Sequence, residues 1–117
     1  MSYVDGYVLP VPRKNLAAYR RMAKDAGKVW RKHGALQYVE SVADDVKVGK
    51  RTSFPRSVKM KPSETVVFSY IVFKSRAHRD RVNAKVMKEM EKTPPPKEMP
   101  FDMKRMVYGG FKTLVES

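Results

Sequence analysis

The segment from Thr65 to Phe73, TVVFSYIVF, is apolar or aromatic at nearly every position. Successive side chains on an extended strand point to opposite faces. Val67, Ile71 and Phe73 therefore share one face, and Val66, Phe68, Tyr70 and Val72 share the other. A strand of this kind needs cover on both sides. The rest of the chain contains two convincing helical stretches, enough to cover one face of a small sheet. The other face needs protein from outside the monomer, which predicts a homodimer joined through the sheet.

A length of 117 residues suits one domain, spanning 1–117, that gains appreciably from burying further surface in a partner. The apolar fraction of 42% and charged fraction of 32% are those of a folded soluble protein. No apolar run approaches the roughly 20 residues of a membrane span. The opening MSYVDGYVLPVPRK lacks the basic start and apolar block of a signal peptide, so the expected location is the cytoplasm. With no cysteine and two histidines, disulfides, thiol chemistry and a purely protein-bound transition metal are not expected. No cofactor is expected either.

The net charge is +13, and it is unevenly placed. Eight cations lie between Arg13 and Lys32 against the single acid Asp25, and six more lie between Lys47 and Lys61 with no acid. Anionic partners would be attracted to such a surface. The pattern also fits a solvated helix face followed by a soluble loop. Lys47, Lys50, Arg51, Arg56 and Lys59, with Phe54 among them, are the candidates for contacting nucleic acid.

Tyr3 to Val11 has strand composition, ended by Pro10 and Pro12. From about Arg13 to His33, Leu16, Tyr19, Ala23, Ala26, Trp30 and His33 fall within an arc of about 100°. Cations occupy the opposite side, and Gly34 stops this helix. Ala35 to Ala43 alternates as a strand, and a long loop runs on to Pro62. After the two-faced strand, Ser75 is the expected N-cap of a second helix with Val82, Val86 and Met90 on its inner stripe. KTPPPKEMP is an extended connection, and Lys104 to Val115 reads as a last strand. Gly109 and Gly110 there suggest a bulge, a bend or a close approach. The order β-α-β-β-α-β predicts an α+β, ferredoxin-like subunit with a four-stranded antiparallel sheet and both helices on one face. Two bare sheet faces packed together would give a dimeric α/β barrel.

The segments YVDGYVLPVPRKN, GKVWRKHGALQY and SYIVFKSRAHRDRVNAKVM resemble the YbaA-like family of bacterial proteins of unknown function. The resemblance extends through VADDVKVGKRTSFPRSVKMKP and MPFDMKRMVYGGFK, and is weakest in KTPPP. It implies membership of the dimeric α/β-barrel superfamily, whose relatives include cofactor-independent monooxygenases, haem-degrading enzymes and ligand-binding stress proteins. It implies no reaction for these positions.

Residues that break local rules mark candidate sites. Asp5 interrupts a strand where an unpaired buried carboxylate costs several kcal/mol. It is either a ligand-binding carboxylate or general base, or else one half of a structural ion pair or an exposed residue at a strand end. Arg79 and Asn83 project into the apolar arc of the second helix and could meet Asp5 there, Arg79 alternatively reaching solvent and Asn83 bonding to a strand end. His33 ends the stripe of the first helix, as a cap of its carbonyls or at the mouth of a pocket beside Trp30. His78 projects to the border with solvent. Asp5, Tyr7, Trp30, His33, Tyr70 and Asn83 are the candidate lining of a small-molecule pocket between sheet and helices. No nucleophile motif or glycine-rich phosphate loop is present, so no catalytic residue is named. Two alternatives stay open: a basic nucleic-acid-associated accessory protein, and a cofactor-independent monooxygenase-like enzyme.

Overall fold

A computed structural model describes all residues, 1–117. Strand β1 is Tyr3–Pro12, helix α1 Leu16–Lys32, strand β2 Gln37–Val42, helix α2 Phe54–Ser57, strand β3 Glu64–Phe73, helix α3 Arg76–Met90 and strand β4 Val107–Lys112. The sheet order is β2-β3-β1-β4 and every neighbouring pair is antiparallel. This is the split β-α-β arrangement expected from the element order, with β3 between the parallel pair β1 and β2, and β1 between β3 and β4.

Alternation along β1 and β3 decides the core. Tyr3, Asp5, Leu9 and Val11 of β1 and Val67, Ser69, Ile71 and Phe73 of β3 are buried on the face shared with α1 and α3. One cluster joins Tyr3, Ile71 and Phe73 to Val82 and Val86 of α3, and a second joins Leu9, Val11 and Val67 to Tyr19 and Ala23 of α1. Ser75 caps α3, its hydroxyl accepting from the His78 amide at 3.1 Å.

Several boundaries move from those expected. Arg13–Asn15 form a 3₁₀ turn, so α1 begins at Leu16. Lys104 and Arg105 belong to a second 3₁₀ turn, Met103–Arg105, whose first residues are capped by Asp102. β4 is therefore short, and its pairing to β1 is continuous from Val107 to Lys112. Gly110 fills the role of close approach, because a Cβ there would stand 2.9 Å from Tyr3 Cε2 and 3.0 Å from Cζ. The long loop contains α2, started by Ser53, whose hydroxyl accepts from the Arg56 amide at 3.1 Å, with Pro55 in the first turn.

The outer face of the sheet is partly covered by this loop. Phe54 meets Phe68 edge-on with ring centres 6.0 Å apart, and Val66 and Pro10 on that face are buried, as is Val58 of the loop. The remainder is open: Phe68 is 44% exposed, Val107 49% and Phe111 65%. Val4, Val8, Tyr70 and Val72 beside them are half-buried. No helix is long and apolar enough to cross a membrane.

A buried ion pair ties the loop to the turn before β4. Glu64, 3% exposed at the start of β3, accepts from Arg105 at 2.8 and 2.6 Å and from the Lys61 amide at 2.7 Å. Arg105 also donates to the Lys59 carbonyl at 3.0 Å and to Asp102 at 2.9 Å.

Candidate functional site

β1 places Asp5 and Tyr7 on the helix-facing side of the sheet, two residues apart, beneath polar groups of α3. Asp5 is 4% exposed and takes a hydrogen bond from Arg79 Nη1 at 2.8 Å. The guanidinium also pairs with Asp80 at 2.8 Å and lies 5.0 Å from the centre of the Tyr3 ring. Arg79 thus turns inward to the carboxylate, held on the ring face by its quadrupole, instead of running out to solvent. Trp30 Nε1 of α1 donates to Asn83 Oδ1 at 3.0 Å. Burial pushes the Asp5 carboxyl above its ordinary value, and the charge of Arg79 with hydrogen bonding from Asn83 pulls part of the way back. Burial and the nearby Asp5 charge push the Tyr7 hydroxyl up to about 12. No buried side-chain nitrogen or oxygen in the molecule lacks a hydrogen-bond partner. The arrangement holds a buried negative charge beside a fixed cation and links both helices to the central strand.

Four of the six residues expected to line one pocket, Asp5, Tyr7, Trp30 and Asn83, share this side of the sheet. The other two are placed elsewhere. Tyr70 points to the outer face, opposite Gly6 in the ladder, with its ring centre 6.3 Å from that of Phe68; strand alternation separates it from Asp5. The Nε2–H of His33 donates to Glu89 Oε1 at 2.8 Å, joining the end of α1 to the end of α3, while Lys32 donates to the same oxygen at 2.9 Å. His78 is half-buried, its Nδ1 accepting from the Lys74 amide at 3.0 Å.

A second arrangement lies between the flank of α1 and the edge strand β2. There a cleft of about 660 Å³ is floored by Ala23, Gly27, Tyr38, Val42 and Val67. Its centre is a clamp of three side chains: the hydroxyls of Tyr19 and Tyr38 donate to Glu40 Oε1 and Oε2 at 2.6 and 2.7 Å. Burial, then the Glu40 carboxylate, push both phenols well above their ordinary value, so they remain donors. Gly27 makes the clamp possible, since a Cβ there would stand 2.8 Å from Tyr38 Cδ1. Arg20, Lys24 and Lys28 stand along the rim, one helical turn apart, exposed and in no salt bridge of the structure. Arg31 at the end of the row donates to the carbonyls of Ala35 and Leu36.

Reasoning from sequence missed this cleft. Tyr19 reads as core, Tyr38 and Glu40 as ordinary members of an alternating strand, and the cations as a solvated face. The available signal was the spacing of Tyr38 and Glu40, which puts both on one side of β2, with the acid on the side that should be apolar. Of the five loop cations, Arg56 spends its guanidinium on the carbonyls of Val48 and Gly49 at 2.8 to 3.1 Å. Lys59 adopts φ 50° and presents its carbonyl to Arg105. Lys47, Lys50 and Arg51 are exposed.

Comparison with known proteins agrees with the fold and the family. The chain is 44% identical over 116 residues to the uncharacterized protein YbaA of Escherichia coli (strain K12), covering 99% of both chains, and equally so to YbaA of Shigella flexneri. A crystal structure of a dimeric ferredoxin-like protein from an uncultured marine organism superposes with a TM-score of 0.61 at 9% identity, covering all of both chains. At that identity the likeness speaks for the fold alone. The family model described as a protein of unknown function (DUF1428) matches residues 2–103, and the chain belongs to that family.

Proposed function

We propose that this protein is a homodimer that binds a small molecule in the cleft between α1 and β2. The observation that carries the reading is the cleft itself. Its volume of about 660 Å³ is within the range of ligand pockets, and it combines an apolar floor with a few fixed polar groups, the usual composition of a binding site. The Tyr19–Glu40–Tyr38 clamp is preformed by two short hydrogen bonds, so little ordering is required on binding. Dimerisation through the outer sheet face is supported by the exposure of Phe68, Val107 and Phe111 on the apolar part of that face formed by β3, β1 and β4. The dimeric state named for the marine ferredoxin-like protein accords with it.

Binding is tested by following thermal unfolding of the protein against a panel of small metabolites, with Val42→Glu as the control that puts a charge on the floor. Val42 is itself half exposed, so the substitution leaves folding intact. The expected result is a rise in melting temperature with at least one compound, absent in Val42→Glu. A rise that is identical in both proteins, or no rise across the panel, contradicts the reading.

One observation favours nucleic acid as a second reading: the unpaired row Arg20, Lys24 and Lys28. It predicts retention on single-stranded RNA that weakens steeply with salt, and no retention at low salt excludes it.

A further inference from the structure

We infer that the ligand of the α1–β2 cleft is an elongated amphiphilic anion, a carboxylate or phosphate head carried on an apolar chain; this rests on the cleft reading proposed above. The shape comes first. The lining follows α1 from Leu16 to Arg31, a run of fifteen helical rises or about 22 Å, so the space is a trough parallel to the helix and not a rounded pit. Its depth is set by Val67, which belongs to β3, one strand in from the edge. Val67 is packed under α1 against Tyr19 and Ala23 and closes the bottom of the trough, so an occupant lies along the flank of α1, between the helix and β2. A polypeptide adding to the free edge of β2 would lie beside the strand and outside the trough.

Charge sets the head group. The rim carries Arg20, Lys24 and Lys28 with no acid paired to any of them, while the one acid of the lining, Glu40, has both oxygens occupied by tyrosine hydroxyls. Each hydroxyl bond spreads the Glu40 charge, so the trough is cationic at its lip and hydrogen-bonded at its centre. An anionic head at the lip gains Coulomb attraction without losing its water, and the chain behind it covers the partly exposed Leu16, Tyr38 and Val42. A neutral chain lacks the first term and a cationic one opposes it.

Displacement of anilinonaphthalene sulfonate fluorescence from the purified protein tests this with three probes of equal chain length: decanoate, decanol and decyltrimethylammonium. At low salt, decanoate is expected to compete about tenfold better than decanol, and decyltrimethylammonium worst, since three rim cations at a few tenths of a kcal/mol each amount to about tenfold. The triple variant Arg20→Glu, Lys24→Glu, Lys28→Glu, whose exposed side chains leave the core unaltered, is expected to abolish the preference for decanoate while decanol still competes. Val42→Glu is expected to weaken decanoate and decanol alike. Equal competition by decanoate and decanol, both lost in Val42→Glu, overturns the anion assignment and leaves the cleft reading standing. Failure of all three probes overturns both. A protein that sediments with phosphatidylglycerol vesicles yet ignores free decanoate also overturns it, because the charge then reads a membrane surface and not a ligand head.

Discussion

Glu64 and Asp5 are both buried carboxylates that face an arginine, and their surroundings shift them in opposite directions. Hydrogen bonding from Arg105 holds Glu64 below its ordinary 4.5. Burial holds Asp5 above its ordinary 3.8 despite Arg79. The linkage signs therefore differ. Glu64, depressed in the folded state, contributes stability that is present above 4.5 and lost as pH falls through its folded value. Asp5, raised, contributes stability that is present below 3.8 and lost as pH rises through its folded value. Glu64→Gln removes the buried charge partner of Arg105, which keeps Asp102 and the Lys59 carbonyl, and is expected to cost about 2 kcal/mol at neutral pH, with the gap to the parent closing as pH falls. Asp5→Asn is expected to show the reverse trend, its stability relative to the parent improving as pH rises through the carboxylate range. Urea unfolding of the three proteins across that range checks both; parallel profiles contradict the assignment. Arg79→Met is the harsher change at this site, since it strands Asp5 in the interior, and the expected loss is about 3 kcal/mol in the same assay.

Between α1 and β2 the contact is set by one missing Cβ. Alanine at position 27 would gain about 1 kcal/mol in helix propensity, yet its Cβ meets Tyr38 at 2.8 and 3.1 Å, and the Tyr38 hydroxyl is fixed on Glu40. Trp30 stands beside the same ring, 5.9 Å between centres. Overpacking of this kind costs about 1 to 3 kcal/mol, so Gly27→Ala is expected to lower the melting temperature. In a Tyr38→Ala background the same substitution is expected to raise it, because the clash is gone and the propensity gain remains. A change of the same sign in both backgrounds would mean that the glycine serves something other than the tyrosine.

The order and type of these elements were legible because their periods are strong: the alternation of β1 and β3 and the stripe Leu16, Tyr19, Ala23 of α1 all appear in the core. The ends were less so. Lys104 and Arg105 have nothing in their composition that separates a strand from a turn, and it is the tertiary partner Glu64 that draws Arg105 out of the ladder. Helix α2 carried its signal, Ser53 followed by Pro55, but four residues are too few for a periodicity. Asp5 and Asn83 stood out because each breaks a pattern. The cleft did not, since Glu40 alone departs from its pattern and the other parts become a site only where the flank of α1 crosses an edge strand.

On the scale of the whole molecule, the helices take one face of the sheet and the loop with α2 takes a portion of the other. What is left is an apolar strip across β3, β1 and β4 on which Phe68 and Phe111 stand exposed. Self-pairing of that strip removes it from water in one step, and because Arg20, Lys24 and Lys28 lie with α1 on the opposite side, both clefts stay open in such a dimer. Two copies at +13 each repel over a Debye length of about 10 Å at 0.1 M salt, so added salt is expected to strengthen the association. An interface held by ion pairs would show the opposite trend in a dilution series. The mass of the protein in solution, read by sedimentation equilibrium at micromolar concentration for the parent and for Phe68→Asp with Phe111→Asp, bears most directly on this account. It predicts two chains for the parent and one folded chain for the double variant; a parent that is already single, or a double variant that still sediments as a pair, contradicts it.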